Sequence, residues 1–371
     1  MREKELKLHK FKNYILGSMC PDLCSLNRVK PHSCLSYHHS KEVVFHADLR
    51  DVAPVIVKGR NLDIESESEN IVSWTDEEGN DMFPSNADFL QMIENHLAIN
   101  FNLTLPKQKG IYALWPYSLK KDSFTEIQNN WLMKTSMKNI WTLSLDSEYV
   151  FSKLFQDFDI FPEVFGTCGG MYFVEKLEPL NMPTFLENVN FDGWVERVKV
   201  AMLILDLLEE LENMFDAPLY LCDVKSEHFG MSKNGRMKFL DVDNVYLKPI
   251  ADKSVGDGSY CEKHSDCDLF DCKGICDLIE NKCSGQVANN NLQVVCEKIF
   301  VGPSLGFKMF DTGLLTSKHA SKKLHETLQK CSNPSNSETE ERISADESIF
   351  QTLKSSLKEI ISIHKDLQKL N

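Results

Sequence analysis

Residues 42–61, EVVFHADLRDVAPVIVKGRN, gather β-branched and aromatic side chains on both sides of a polar Arg50-Asp51 turn. Branched side chains pack well on a pleated surface, so this pattern predicts a β-hairpin whose second strand is Val55–Lys58. The acidic, serine-rich stretch 63–80 predicts a surface loop. Helical character follows over Phe89–Phe101, Asp122–Met133 and Leu145–Gln156, and Gly170–Lys176 reads as a strand. From Trp194 to Met214, the residues Trp194, Val198, Leu205, Leu208 and Leu211 recur at helical spacing, with Asp192 available as N-cap. Two short strands then flank an Asn234-Gly235 turn. An apolar piece spans Val294–Phe300, and a polar linker, CSNPSNSETEERISADES, precedes an amphipathic helix over Ile349–Leu370. There are no internal repeats.

Composition changes this picture in two places. A chain of 371 residues with 42% hydrophobic and 26% charged residues is globular, and its net charge of -14 argues against a nucleic-acid partner. Six of the 12 cysteines, Cys261, Cys267, Cys272, Cys276, Cys283 and Cys296, fall within residues 261–296, and Cys20, Cys24 and Cys34 form a second group. The chain has no Cys-x-x-Cys pair, and the large cluster contains a single histidine, His264. A zinc site usually shows tightly paired ligands, so a disulfide framework in an oxidising compartment is the better reading, with its connectivity open. The Asn102-Leu103-Thr104 sequon points the same way. The N-terminal MREKELKLHKFKNYILGSM is basic and amphipathic, without the long apolar run of an anchor. The most apolar stretch, Val198–Leu208, is interrupted by Asp206 and reads as a core helix.

The chemistry concentrates in residues 219–246, LYLCDVKSEHFGMSKNGRMKFLDVDNVY. Asp223 and Lys225 stand in a turn, and Asp241 follows the second strand of the hairpin. This order resembles the catalytic loop and metal-binding turn of protein kinases, H-R-D-x-K-x-x-N and then D-F-G. There, the first aspartate accepts the substrate hydroxyl proton, the lysine offsets phosphoryl charge, and the second aspartate holds Mg²⁺ on the nucleotide phosphates. Val55-Ile56-Val57-Lys58 resembles the strand whose lysine pairs with the α/β-phosphates, and Glu148 is the candidate helix glutamate that holds it. Taken singly, Lys58 and Glu148 read as solvated surface charges; their order with Asp223, Lys225 and Asp241 makes the site reading preferable. His228 stands where the second-metal asparagine would be, so Mn²⁺ joins Mg²⁺ as a candidate ion. Asp243 replaces the glycine of D-F-G and adds a candidate metal-binding carboxylate. No G-x-G-x-x-G precedes Val44; the corresponding stretch reads CLSYHHSKEVV.

The ordered set of Lys58, Glu148, Phe173-Val174-Glu175, Cys222-Asp223-Val224-Lys225, Leu240-Asp241-Val242-Asp243 and the cysteine cluster resembles the divergent protein kinase domain 1 family. These are cysteine-rich, kinase-like proteins of the endoplasmic reticulum with an N-terminal membrane anchor. The resemblance implies an α+β, two-lobed protein-kinase-like fold with an insertion in the N-lobe and a disulfide-rich segment after the metal-binding turn. On that pattern, residues 1–41 are a cysteine-containing N-terminal segment and 42–175 the N-lobe, with an EF-hand-like insertion at about 62–140. The C-lobe is 176–330, including the cysteine-rich segment 261–296, and 331–371 holds the linker and last helix. Taking Glu126 as the last calcium ligand puts Trp115, Tyr117, Leu119 and Lys120 at places that need oxygens or glycine, so no calcium is expected there.

The function implied is a secretory-pathway kinase-like protein that binds ATP with Mg²⁺ or Mn²⁺ and passes phosphate to a luminal protein. Asp223 and Lys225 would be catalytic, Lys58 and Glu148 would position ATP, and Asp241, His228 and Asp243 would hold metal. The alternatives are an inactive pseudokinase serving as a luminal interaction module and a disulfide-stapled binding protein without a nucleotide site. The implied membrane anchor is not visible in this N-terminal sequence.

Overall fold

A computed structural model describes residues 16–26, 28–37, 42–50, 53–60, 72–79, 81–115, 131–182, 190–214, 217–302, 313–334 and 342–370. The chain divides into two compact units at Leu177/Glu178.

In the first unit, helix α1 (Cys20–Cys24) leads into strands β1 (Val29–Tyr37), β2 (Glu42–Leu49) and β3 (Ala53–Arg60). Two-residue strands β4 (Trp74–Thr75) and β5 (Asp81–Met82) and helix α2 (Asn86–Phe101) follow, then α3 (Trp131–Ser144), α4 (Ser147–Leu154), β6 (Val164–Cys168) and β7 (Met171–Glu175). The main sheet is antiparallel, in the order β1-β2-β3-β7-β6. The hairpin expected over 42–61 is present, but the sheet also takes in Val29–Tyr37, which the pattern did not reveal. That strand is an edge with Pro31 in it and two register shifts, a sequence tolerated only where one side of the ladder is unpaired.

Strand periodicity sorts β3 into two faces. Val55 and Val57 are fully buried in a core with Met19, Leu23, Cys168 and Phe173, which leaves Ile56 and Lys58 on the other face. The Cys20–Cys168 disulfide pins α1 to the end of β6. Gly17 is required for this close approach, since a Cβ there would meet the Thr167 carbonyl oxygen at 2.1 Å. Ser85 caps α2 by accepting from the Asp88 N–H at 3.2 Å. Asn102 of the sequon closes that helix in the left-handed region (φ 55°) and is exposed. The helical stretch expected at Leu145–Gln156 is shorter, because Asp146 caps a new helix by accepting from Tyr149 N–H at 2.9 Å. Of the candidate calcium loop, Trp115 is described, while Tyr117, Leu119, Lys120 and Glu126 lie outside the described residues, as does most of 63–80.

The second unit opens with β8 (Glu178–Pro179) and the long helix α5 (Phe191–Asn213). Trp194, Val198, Leu205, Leu208 and Leu211 are buried as their spacing predicts. The N-cap is Asn190, not Asp192, because the turn begins one residue before Phe191 and aims Asn190 Oδ1 at the Gly193 N–H (2.8 Å). Strands β9 (Leu219–Leu221), β10 (Phe229–Met231), β11 (Met237–Phe239) and β12 (Val245–Leu247) follow, with β11-β10-β8 in one small sheet and β12-β9 in another. Gly235 takes φ 79° in the β10–β11 turn, a conformation open to glycine at no steric cost.

Next come α6 (Lys248–Val255), the β13 (Ile275–Asp277) and β14 (Lys282–Ser284) pair, and α7 (Asn291–Val295), which runs into a π-helical turn at Cys296–Val301. Helices α8 (Lys322–Ser332) and α9 (Glu347–Leu370) complete the unit. Bridges Cys261–Cys276 and Cys267–Cys283 form a small core of their own, where the segment has few large apolar residues to bury. Closing loops of this length contributes about 3 kcal/mol each by the chain-entropy account. Cys222–Cys272 ties the middle of the segment to the residue after β9, and Cys296–Cys331 ties its end to α8. Cys24 (buried) and Cys34 (exposed) do not belong to these five bridges. The Sγ atoms of Cys261, Cys267 and Cys276 lie within 4.8 Å of one another, but all three are bound in disulfides and none offers a thiolate to a metal.

Helix α9 is no appendage. Lys354 reaches Asp206 (2.8 Å) and Glu209 (2.6 Å) on α5, and His364 Nε2 meets the Asp192 carboxylate at 2.8 Å. Arg197, 3% exposed, donates to the carbonyls of Leu314 (2.9 Å), Gly313 (2.8 Å) and Thr316. Arg197→Met leaves three carbonyls without their charged donor, and hydrogen bonds of this kind are worth about 1.5–3 kcal/mol each. A fall of about 3 kcal/mol or more in unfolding free energy is expected in urea titration; less than about 1 kcal/mol would show that the carbonyls find other donors.

Candidate functional site

In the first unit, the β3 alternation that buries Val55 and Val57 turns Lys58 toward Tyr172, its cross-strand partner on β7. Lys58 Nζ pairs with Glu148 Oε2, which is in the first turn of α4, where a helix N-terminus favours negative charge. Neither side chain is solvated, at 19% and 10% exposure, so the surface-charge alternative does not hold for this pair. Tyr172 Oη sits 3.0 Å from Glu148 Oε2 and 3.0 Å from Asp146 Oδ1. Burial, followed by the charges of Asp146 and Glu148, pushes the Tyr172 phenol well above its ordinary range, so it stays a donor. Tyr149 is held protonated by burial in the same way and donates to the Leu114 carbonyl. The result is one cation set against a fixed carboxylate by a buried phenol.

In the second unit, Asp223, Lys225, His228 and Asp241 come together. Lys225 Nζ lies 2.8 Å from Asp223 Oδ2, and this hydrogen bond, aided by the charges of Asp223 and Asp241, raises the lysine's pKa. The buried His228 ring places Nδ1 2.9 Å from the Asp223 carbonyl oxygen and Nε2 3.2 Å from Asp241 Oδ2. A carbonyl only accepts, so Nδ1 carries the proton, while Nε2 faces Asp241 Oδ2 and forms an ion pair with it when the ring is charged. An imidazole nitrogen beside a carboxylate is a pair of groups that would suit a divalent cation of intermediate softness. Asp243 joins through its backbone, donating N–H to Asp241 Oδ1 at 3.2 Å, while its side chain is exposed. The two strands of the Asn234-Gly235 hairpin hold this geometry, with Leu240 N–H donating to the His228 carbonyl at 2.7 Å.

Sequence reasoning missed Asp146, Tyr172, Asp271 and Lys298. Asp271 Oδ2 accepts from the Val224 N–H at 2.8 Å, and its Oδ1 is 2.9 Å from Lys298 Nζ. The only signal was the position of Asp271 beside Cys272, whose bridge partner Cys222 stands where the kinase motif has arginine.

A strand lysine locked to a helix glutamate, together with an Asp-x-Lys loop coupled to a second aspartate inside a disulfide-stapled frame, defines a cysteine-rich, kinase-like protein. Residues 140–334 match the family model described as the protein-kinase domain of FAM69, and residues 7–113 match the one described as its N-terminal cysteine-rich ER region. The chain belongs to the FAM69 family, as its motifs led one to expect. Among solved structures, the complex of Rv3197 with erythromycin from Mycobacterium tuberculosis aligns with 67% of this chain at 16% identity and a TM-score of 0.31. The chain spans about half (52%) of that protein. Among the described residues, no helix is long and apolar enough to cross a membrane.

Proposed function

We propose that this FAM69 chain binds ATP with a divalent cation and transfers the terminal phosphate to a hydroxyl of a protein on the luminal side of the endoplasmic reticulum. The observation that carries the reading is the chain of contacts that runs from Lys225 to the Asp223 carboxylate, and from the Asp223 carbonyl through His228 to Asp241. Asp223 accepts the proton of the attacking hydroxyl, with its carboxylate oriented by the hydrogen bond from Lys225. Lys225 offsets charge on the phosphoryl oxygens, and Lys58, oriented by Glu148 and Tyr172, binds the α/β-phosphates. A divalent cation held by Asp241 and His228, with Asp243 in reserve, would neutralise phosphate charge.

The experiment is transfer of radiolabel from γ-labelled ATP to a degenerate Ser/Thr/Tyr peptide pool, in Mn²⁺ and then Mg²⁺. Metal-dependent transfer supports the reading. ATP binding without transfer favours the pseudokinase reading, which rests on His228 in the asparagine place and on the glycine-free stretch 34–44. No ATP binding at all, in folded protein, overturns the transferase reading and favours a pseudokinase that serves as an interaction module.

The imidazole also sets a metal preference. Softer Mn²⁺ is expected to support tighter ATP binding than Mg²⁺, and His228→Asn to shift the preference toward Mg²⁺. Calorimetric ATP titrations in each metal measure this; an unchanged preference in the variant would remove His228 from the metal site.

A further inference from the structure

The peptide group between Asp223 and Val224 is gripped on both sides. Its carbonyl oxygen faces His228 Nδ1 at 2.9 Å, and its N–H donates to Asp271 Oδ2 at 2.8 Å. Asp271 comes from the cysteine-rich segment and is only 8% exposed. A buried carboxylate needs a compensating charge, and Lys298 of the π-helical turn supplies it at 2.9 Å. The backbone around Asp271 is tied to the same loop, since its N–H donates to the Cys222 carbonyl at 2.8 Å and the next residue, Cys272, is bridged to Cys222. Asn289 Nδ2 holds the Asp271 carbonyl at 2.8 Å from the far side.

We propose that Asp271 and Lys298 are positioning residues for Asp223: the carboxylate fixes the Asp223–Val224 peptide, and the lysine holds that carboxylate in place. This rests on the phosphoryl-transfer reading above. A base that must meet a hydroxyl within hydrogen-bond reach loses rate steeply when displaced by about 1 Å, so the loop needs a rigid support. Here the cysteine-rich segment supplies it through a covalent bridge and a charged hydrogen bond. Lys298 also senses the base itself. Its ammonium pKa is raised first by the hydrogen bond to Asp271 and, after burial has opposed this, by the charges of Asp271, Glu297 and Asp223. The cation thus lies within electrostatic reach of both carboxylates.

The test compares wild type, Asp271→Asn, Lys298→Met and Lys298→Arg in the full chain, with labelled ATP and the peptide pool, and measures amide exchange of peptides covering Val224. In Asp271→Asn and Lys298→Met, kcat is expected to fall about 10- to 100-fold with KM for ATP unchanged within about two-fold. Lys298→Arg restores most of the rate, and exchange at Val224 quickens in the first two variants only. Unchanged kcat together with unchanged exchange overturns the proposal, as does a KM effect without a kcat effect. If wild type shows no transfer with either metal, the phosphoryl-transfer reading fails, and the exchange measurement alone decides whether Asp271 and Lys298 hold the loop. Should Asp271→Asn fail to fold, Lys298→Met, at an exposed position, carries the comparison.

Discussion

Lys58→Met is expected to abolish ATP binding and to lower the stability of the first unit by about 3–5 kcal/mol. The second effect follows from burial: Glu148 is left as an uncompensated carboxylate at 10% exposure, and breaking a buried pair by removing one partner costs that much. Tyr172 still donates to Glu148, which places the loss at the lower end of the range. Replacing both charges, Lys58→Met with Glu148→Leu, should recover most of the stability while leaving ATP binding absent. Thermal unfolding and calorimetry on the single and double variants separate the two roles. If the double variant binds ATP normally, Lys58 is a structural cation and takes no part in nucleotide recognition.

The second large effect is on chemistry alone. Asp223→Asn keeps the size of the side chain and an oxygen for Lys225, and leaves the Asp223–Val224 backbone contacts to His228 and Asp271 intact. Removing a positioned general base typically costs about 10²–10⁴ in rate. Transfer to the peptide pool should fall by that factor, while ATP affinity stays within about two-fold of wild type. Loss of affinity in proportion to rate would mean that Asp223 helps hold the nucleotide complex and would move the base elsewhere.

Much of this arrangement was legible because local chemistry dictated it. The Val55/Val57 alternation forced Lys58 onto the opposite face, and the Asn234-Gly235 turn brought His228 and Asp241 together across a hairpin. What escaped was set by contacts distant in sequence. Tyr172 has no motif; it matters because β3 and β7 pair and α4 brings Glu148 to the same point. Asp271 looks like any acid in a polar segment until the Cys222–Cys272 bridge, whose pairing spacing does not reveal, carries it to the Val224 amide. The N-cap of α5 was misplaced by two residues because Asn190 and Asp192 are equally good caps, and packing of α9 engages Asp192 instead. Strand β1 was overlooked because an edge strand with proline and exposed polar residues carries little alternation.

The most direct test of the account is calorimetric titration of ATP into the intact protein with Mn²⁺, set beside Asp241→Ala shown by circular dichroism to be folded. The account predicts metal-dependent binding to the wild type that disappears in the variant. Equal binding by both proteins, or none by the wild type with either Mn²⁺ or Mg²⁺, would contradict it.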